Sequence, residues 1–380
     1  MKLKKILTRA ITFALAGVMS AGALVSCSGG MESFEGDLRE RYDYDLTEYV
    51  KPGKYTGLKI RVGADNLSEA ELAAQTMEYN VLYTTTVDGK EWVYLEDGAV
   101  AKEGHIAEVK YQGYLDGKPM GDLVHYKEEG LSMALGAENL IPGMDAHVIG
   151  MKIGEKKTVE FTVPDPCYTY PQYVGKTLTF DLELCAIRET ELEPVGEGLY
   201  EYYGCATKDD FEHQMISEIK RVRMDKLEDY VMTRAMDSIL DSFEAKKYPE
   251  KELKEVKDSV RGADEARAKE KEQTLEQYVS ETHGLTMDEY EAELDSYTKE
   301  VVFSEMVIYY IARKEQIALT NAAFDEKATE MAQENDFTTP LEYMNYMAAQ
   351  GYTEYAVREL IWGDMVKDFI LKNTEQVKEG

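Results

Sequence analysis

The hydrophobic pattern of this chain changes character several times along its length. Residues 11–25 form an unbroken run of small and apolar side chains, and residues 28–45 are polar and poor in aliphatics. KYTGLKIRV (54–62) reads as a short strand. LSEAELAAQTMEYNVLYTT follows, and Ser68 with Glu71 three positions on has capping-box spacing, which predicts a helix over about 69–85. From 98 to 190 the apolar residues alternate in short runs. IAEVKYQGYL is one such run, and DGK (116–118) turns the chain as a hairpin would. TVEFTV places Val159, Phe161 and Val163 on one face, and TLTFDLELCAI places Leu178, Phe180, Leu182 and Leu184 on one face. Between them Ile141-Pro142-Gly143 begins a short helix running to about Met151. After about 207 the spacing becomes three to four. Ile219, Val222, Tyr230, Val231, Ile239, Leu240 and Phe243 predict one long helix. Residues 297–317 predict a buried helix, apolar on most sides. Residues 353–373 carry a stripe of Val357, Leu360, Ile361, Met365, Phe369 and Ile370. Charged segments such as EAKKYPEKELKEVKD (244–258) read as linkers between helices. The fold class is α+β: an antiparallel sheet with one short helix, inserted in a mostly helical body.

Charge and chain start refine this picture. Lys2, Lys4, Lys5 and Arg9 precede the first apolar run, which is the pattern of a secretory signal and too short for a spanning helix. It ends in Leu24-Val25-Ser26-Cys27, which resembles the lipobox of bacterial lipoproteins. That resemblance implies cleavage before Cys27 and a lipid on its sulfur, with stable anchoring once two or more acyl chains are present. The expected organisation is a signal peptide (1–26), a lipidated tether (27–45), a segment packing with the helical body (46–97), a sheet domain (98–190) and the helical body (191–380). The formal charge of −30 loses four positive residues with the signal and becomes −34. So acidic a body argues against nucleic acid and against lying on an anionic membrane surface. Cys167, Cys185 and Cys205 remain, enough for one disulfide and a free thiol or for three thiols. They fit no zinc spacing, and His105, His125, His147, His213 and His283 read as surface or structural residues.

The segments VKYQGYLDGK, LGAENLIPGMDAHVIGMKIGEKKTVEFTVP and GKTLTFDLEL resemble an FKBP-type peptidyl-prolyl isomerase domain. The flanks DYDLTEYVKPGKYTGLKI, GLTMDEYEAEL and VRELIWGDMVKDFILKN are similar to trigger factor, and the resemblance covers about residues 45–375. The Gly-Phe-Arg-x-Gly-Lys ribosome-binding loop of that family has no counterpart here, so ribosome docking is not expected.

The resemblance implies a reaction without cofactor or metal. Rotating an X–Pro bond means surrendering amide double-bond character, a barrier of about 18–20 kcal/mol. No bond is made and no proton must move. An apolar pocket that binds the twisted amide better than the planar one suffices. The family pocket falls on Tyr111, Ile141 and Phe180, with Ile141 offering its backbone N–H, and on either Tyr168 or Tyr170 in the loop before the last strand. Leu140, Met144, Met120, Asp122, Leu131 and Met133 fall on the substrate-binding positions. Met144 stands where many family members have an aromatic, Leu131 and Met133 where an aromatic is common, and the family's aromatic-acidic pair appears as Met120-Gly121-Asp122, shifted by one, which implies a wider, less aromatic pocket. Packing alone would also explain Phe180, Ile141 and Leu140. The expected partners are unfolded or nascent exported polypeptides with X–Pro bonds, and the membrane through the lipid. The 27 Tyr and 18 Met would suit a surface for varied unfolded segments. The alternatives are an inactive chaperone and an assembly factor for one client.

Overall fold

The computed structural model describes Leu38 and residues 42–63, 68–125, 130–137, 143–349 and 352–378. The described residues within Arg61–Val231 and Gln376–Gly380 form one compact unit, and those within Met1–Ile60 and Met232–Glu375 form the other.

The first unit is built on an antiparallel sheet of β3 (Val93–Tyr94), β4 (Ile106–Leu115), β5 (Lys118–His125), β6 (Leu131–Ala134), β7 (Lys156–Thr162) and β8 (Thr177–Glu189). β8 is its axis: it pairs with β4 along one edge and with β3 and β7 along the other, while β5 and β6 share the far edge of β4. The hairpin between β4 and β5 turns on Asp116 and Gly117, both at positive φ, with Leu115 opposite Lys118. That is the two-residue turn whose twist suits a hairpin. On β8, Leu178, Phe180, Leu182 and Leu184 are buried as the alternation predicts, and Val159 and Val163 are buried beside Phe161 at and just beyond the end of β7. A short helix, α2 (Met144–Val148), covers the sheet's inner face through Met144 and Val148.

Outside the sheet, the unit holds β2 (Leu58–Val62, shared with the other unit), α1 (Glu69–Thr84), α3 (Glu197–Tyr202) and the first two thirds of α4 (Lys208–Ser242). The Ser68–Glu71 capping box forms as the spacing predicts. Tyr79 and Tyr83 of α1 pack against Leu199, Tyr200 and Tyr203 at the α3 end and Phe211 of α4. The segment 46–97, read from sequence as one piece, is divided at Ile60 between the two units. The stripe read along α4 is interrupted, because Val222 is exposed and Met224 is 73% exposed. In that stretch Arg223 instead pairs with Glu71 of α1.

The second unit holds β1 (Val50–Lys51) paired with β9 (Glu244–Ala245) and the remaining helices, and β10 (Thr374–Lys378) is divided between the two units after Glu375. These are α5 (Glu250–Glu270), α6 (Leu275–Tyr278), a π-helical turn (Val279–His283), α7 (Met287–Lys314), α8 (Asn321–Glu334), α9 (Pro340–Ala349) and α10 (Glu354–Lys372). α5 corrects the reading of 244–258 as a linker. Glu252, Val256, Val260, Asp264 and Ala268 recur every fourth residue and are buried, so the inward stripe includes two carboxylates that a hydropathy pattern scores as solvent-facing. α7 is buried on most sides from Val301 to Ala312, as expected. Tyr309 on it lies 5.0 Å from the Tyr42 ring and 4.7 Å from Trp362, whose indole N–H donates to the Ile317 carbonyl at 2.9 Å. The Tyr42 hydroxyl donates to the buried Glu305 carboxylate at 2.9 Å. No helix of the described residues is long and apolar enough to cross a membrane.

Candidate functional site

Position 113 of β4 faces Phe180 of β8 across the ladder. A Cβ there would come within 2.8 Å of both Phe180 Cε1 and Leu123 Cβ, so only glycine lets the fully buried phenyl ring lie over β4. A row of rings crosses the inner face from that point. Phe161 of β7 stacks on Phe180 at 5.4 Å with 10° between the planes, and His147 of α2 stacks on Phe161 at 5.3 Å. In the other direction Tyr111 of β4 meets Phe180 at 6.3 Å and 58°, and His125 of β5 stacks on Tyr111 at 6.3 Å. Aromatic pairs at such distances add about 0.5–1.5 kcal/mol beyond the area they bury. Rings from five elements thereby make one continuous apolar strip.

One edge of the strip is polar. Asp122 of β5 accepts the Tyr173 hydroxyl at 2.7 Å and the Gln172 amide at 3.2 Å. Burial first, then the neighbouring Tyr170 hydroxyl and Asp122 carboxylate, push the Tyr111 hydroxyl up to about 12. Tyr170 is raised as well, by burial, then by Asp122 and Cys167. Both phenols therefore stay protonated at neutral pH and are neutral donors.

The remaining expected residues fall around this strip. Met144 is buried at the first position of α2, which starts from Gly143 in the left-handed region. Asp145 fixes the helix to the loop before it, accepting the Gly136 N–H at 2.8 Å and the Ala146 N–H at 3.0 Å. Met120 is buried on β5, and its carbonyl accepts the Gln112 side-chain amide at 2.9 Å, across the irregular step in register between Gln112 and Tyr114. Leu131 and Met133 lie on β6 opposite Val109 and Ala107, farther along β4 from Tyr111. Leu140 and Ile141 lie outside the described residues, as does Cys27. Of the two tyrosines left open by the sequence, Tyr170 is the one on the site's side of the loop: its ring lies 6.2 Å from that of Tyr173, which donates to Asp122, and its hydroxyl helps raise that of Tyr111. Tyr168 is placed elsewhere: its hydroxyl accepts the Gly63 N–H at 2.9 Å and its ring packs on Tyr230 of α4 at 4.8 Å.

Phe161, His147, His125 and Gly113 belong to the strip and were not among the expected site residues. Phe161 carried a signal, since it shares its face with Val159 and Val163. The two histidines carried none, because they act as flat rings and not as ligands. Cys167, Cys185 and Cys205 are all free thiols. A depression of about 330 Å³ opens over the ladder of β4, β8 and β7, lined by Lys110, Lys156, Lys157, Thr158, Asp181 and Glu183 and bordered by Tyr111 and Leu182. A lining so rich in charge is poorly suited to desolvating an amide, so the ring strip is the better site.

Two family models match the chain: FKBP-type peptidyl-prolyl cis-trans isomerase over residues 98–185, and the C-terminus of bacterial trigger factor over residues 207–372. Trigger factor of Carboxydothermus hydrogenoformans is 26% identical over 340 residues, covering 88% of this chain and 74% of that protein. Trigger factor of Geobacillus sp. (strain WCH70) is 25% identical, covering 86% and 72%. A solved trigger factor chaperone structure, one concerned with promiscuous substrate recognition in folding and assembly, aligns over 85% of this chain and 72% of its own at 15% identity. Its TM-score is 0.35, at which the overlap carries no argument.

The raised Tyr111 hydroxyl has a consequence for stability. The folded state holds this proton more tightly than the unfolded chain, whose tyrosines titrate near 10. Its contribution is therefore complete below pH about 10 and is lost as pH rises toward about 12. Tyr111→Phe should lose less stability than the wild-type chain between those limits, measured by urea midpoints at stepped pH. Parallel losses would show that this hydroxyl does not titrate with folding.

Proposed function

We propose that this chain, an FKBP-type peptidyl-prolyl cis-trans isomerase domain joined to a bacterial trigger factor C-terminal domain, turns X–Pro bonds in exported proteins while its helical body holds their unfolded segments. The observation that carries this reading is the strip of Phe161, Phe180 and Tyr111 with a polar edge of Asp122 and Tyr170.

A proline ring held at this strip, beside the partly exposed Phe161 and with the buried Phe180 ring as the floor beneath, would leave water. The planar amide loses more hydration than the twisted one, because resonance separates more charge on its oxygen and nitrogen. Each ~1.4 kcal/mol of that difference speeds rotation about tenfold. The protonated Tyr111 and Tyr170 hydroxyls add donors that orient a substrate carbonyl without changing charge. Bulky rings on either side hold water off the turning bond. In the helical body, Leu341 and Tyr346 of α9 are 69% and 48% exposed, beside a cluster containing Phe337, Tyr343 and Met347. Such a rim suits extended apolar segments of varied sequence.

The chain start supports a place for this activity. A basic head, an apolar run and Leu24-Val25-Ser26-Cys27 fit export and lipid attachment at Cys27, on the outer side of the bacterial membrane. An acidic tethered body would stand off an anionic surface and meet clients as they emerge. A binding role without catalysis is favoured by one observation: Met120, Met133 and Met144, all buried, stand where the resembled family has aromatics or an aromatic-acidic pair.

A protease-coupled assay on a proline peptide distinguishes these. The wild-type chain should accelerate exchange above buffer, and Phe180→Ala and Tyr111→Ala should each lose about tenfold or more. Exchange equal to buffer would leave only the binding role. Separately, growth with a labelled fatty acid should mark the wild-type chain and not Cys27→Ser, which should be released from membranes. Equal release of both forms would remove the tether.

A further inference from the structure

We propose that Tyr168 and Tyr230 are positioning residues for the isomerase site, clamping the loop that carries Tyr170 and Tyr173. The inference rests on the isomerase reading above and concerns residues that do not touch the peptide.

The loop joins β7 to β8. Its base is closed by the Val163 N–H to the Lys176 carbonyl at 3.0 Å and the Gly175 N–H to the Val163 carbonyl at 2.9 Å. Toward the site it is tied to β5, through the donors from Gln172 and Tyr173 to Asp122. On its other side it is tied to elements outside the isomerase domain. The Tyr230 hydroxyl of α4 donates to the Asp165 carboxylate at 2.8 Å. The Tyr168 ring packs on the Tyr230 ring, and the Tyr168 hydroxyl accepts the N–H of Gly63, next after β2. Tyr230 is 1% exposed, so this is a packed contact and not a surface brush. A Cβ on Gly63 would lie 3.4 Å from the Tyr168 hydroxyl and 3.5 Å from Pro166 Cγ, ordinary packing distances. Seven residues before Tyr230, and so two turns up the same face of α4, Arg223 pairs with Glu71 at the start of α1. The helix that grips the loop is thus itself held.

Gly63 and Tyr230 both lie outside residues 98–185, the stretch matched by the isomerase model. The loop that borders the site is therefore held from outside by flanking segments. Without the two phenol hydroxyls the loop would lose these two directed ties and keep its base, the Asp122 contacts and the packing of the two rings. Tyr170 would then leave Tyr111 for part of the time, and only the remaining fraction of molecules would bind peptide. Apparent affinity falls in proportion to that fraction, while turnover in the bound state is unchanged.

The test is steady-state isomerase kinetics on the full-length chain carrying Tyr230→Phe or Tyr168→Phe, each of which removes one oxygen and keeps the ring. One hydrogen bond corresponds to a change of about three- to tenfold. KM should rise by that factor in each variant with kcat within twofold of wild type and the melting profile unchanged. Asp165→Asn, which still offers an oxygen to Tyr230, should keep KM near wild type, whereas Asp165→Leu should raise it. Wild-type KM in both phenylalanine variants overturns the clamp, and so does a loss of activity that merely follows loss of folded protein. A wild-type chain no faster than buffer brings down the isomerase reading and the clamp with it. An active wild type beside unaltered variants removes the clamp alone.

Discussion

The missing Cβ at position 113 is the constraint on which the site depends. Two strands of the sheet face each other there, and the space that a side chain would fill is taken by the Phe180 ring. Because that ring lies over β4 instead of standing clear of it, Phe161 can stack flat on one side and Tyr111 can meet it on the other. Interiors are close-packed, so a 2.8 Å clash cannot be absorbed without moving either Phe180 or Leu123. The strip of rings is therefore specified by a glycine as much as by its aromatics.

The same strip explains why the chemistry needs so few polar groups. On the proposed reading, peptide-bond rotation would be speeded by surroundings that disfavour charge separation, which rings can provide without a nucleophile or a base. Asp122 fits this scheme as a structural acceptor: its oxygens are taken up by Tyr173 and Gln172, and its charge helps keep Tyr111 and Tyr170 protonated.

Most of the architecture could be read from residue spacing, and the exceptions share a cause. Period-two alternation located β4, β7 and β8, the Asp-Gly turn located the hairpin, and Ser68 with Glu71 located the start of α1, since each is a local rule obeyed by neighbouring residues. α5 escaped because its buried stripe is completed by Glu252 and Asp264, which pair through tertiary contacts such as the Tyr290 hydroxyl to Asp264 at 3.1 Å. The exposed middle of α4 escaped for the converse reason: Val222 keeps helical spacing with Ile219 yet lies exposed. At the site, Tyr111 and Phe180 could be named from the family pattern, whereas His125 and His147 could not. Their part is to stack, and stacking leaves no trace in spacing. The choice between Tyr168 and Tyr170 turned on α4, more than fifty residues away in the chain, which takes Tyr168 for itself.

The most direct test of the ring strip uses exchange NMR on a proline peptide with the full-length chain and its Gly113→Ala form. That methyl group touches no substrate and alters no charge. Gly113→Ala should keep its helical unit folded yet lose about tenfold or more of the cis–trans exchange rate, because Phe180 is displaced. Exchange at the wild-type rate with Gly113→Ala would contradict this.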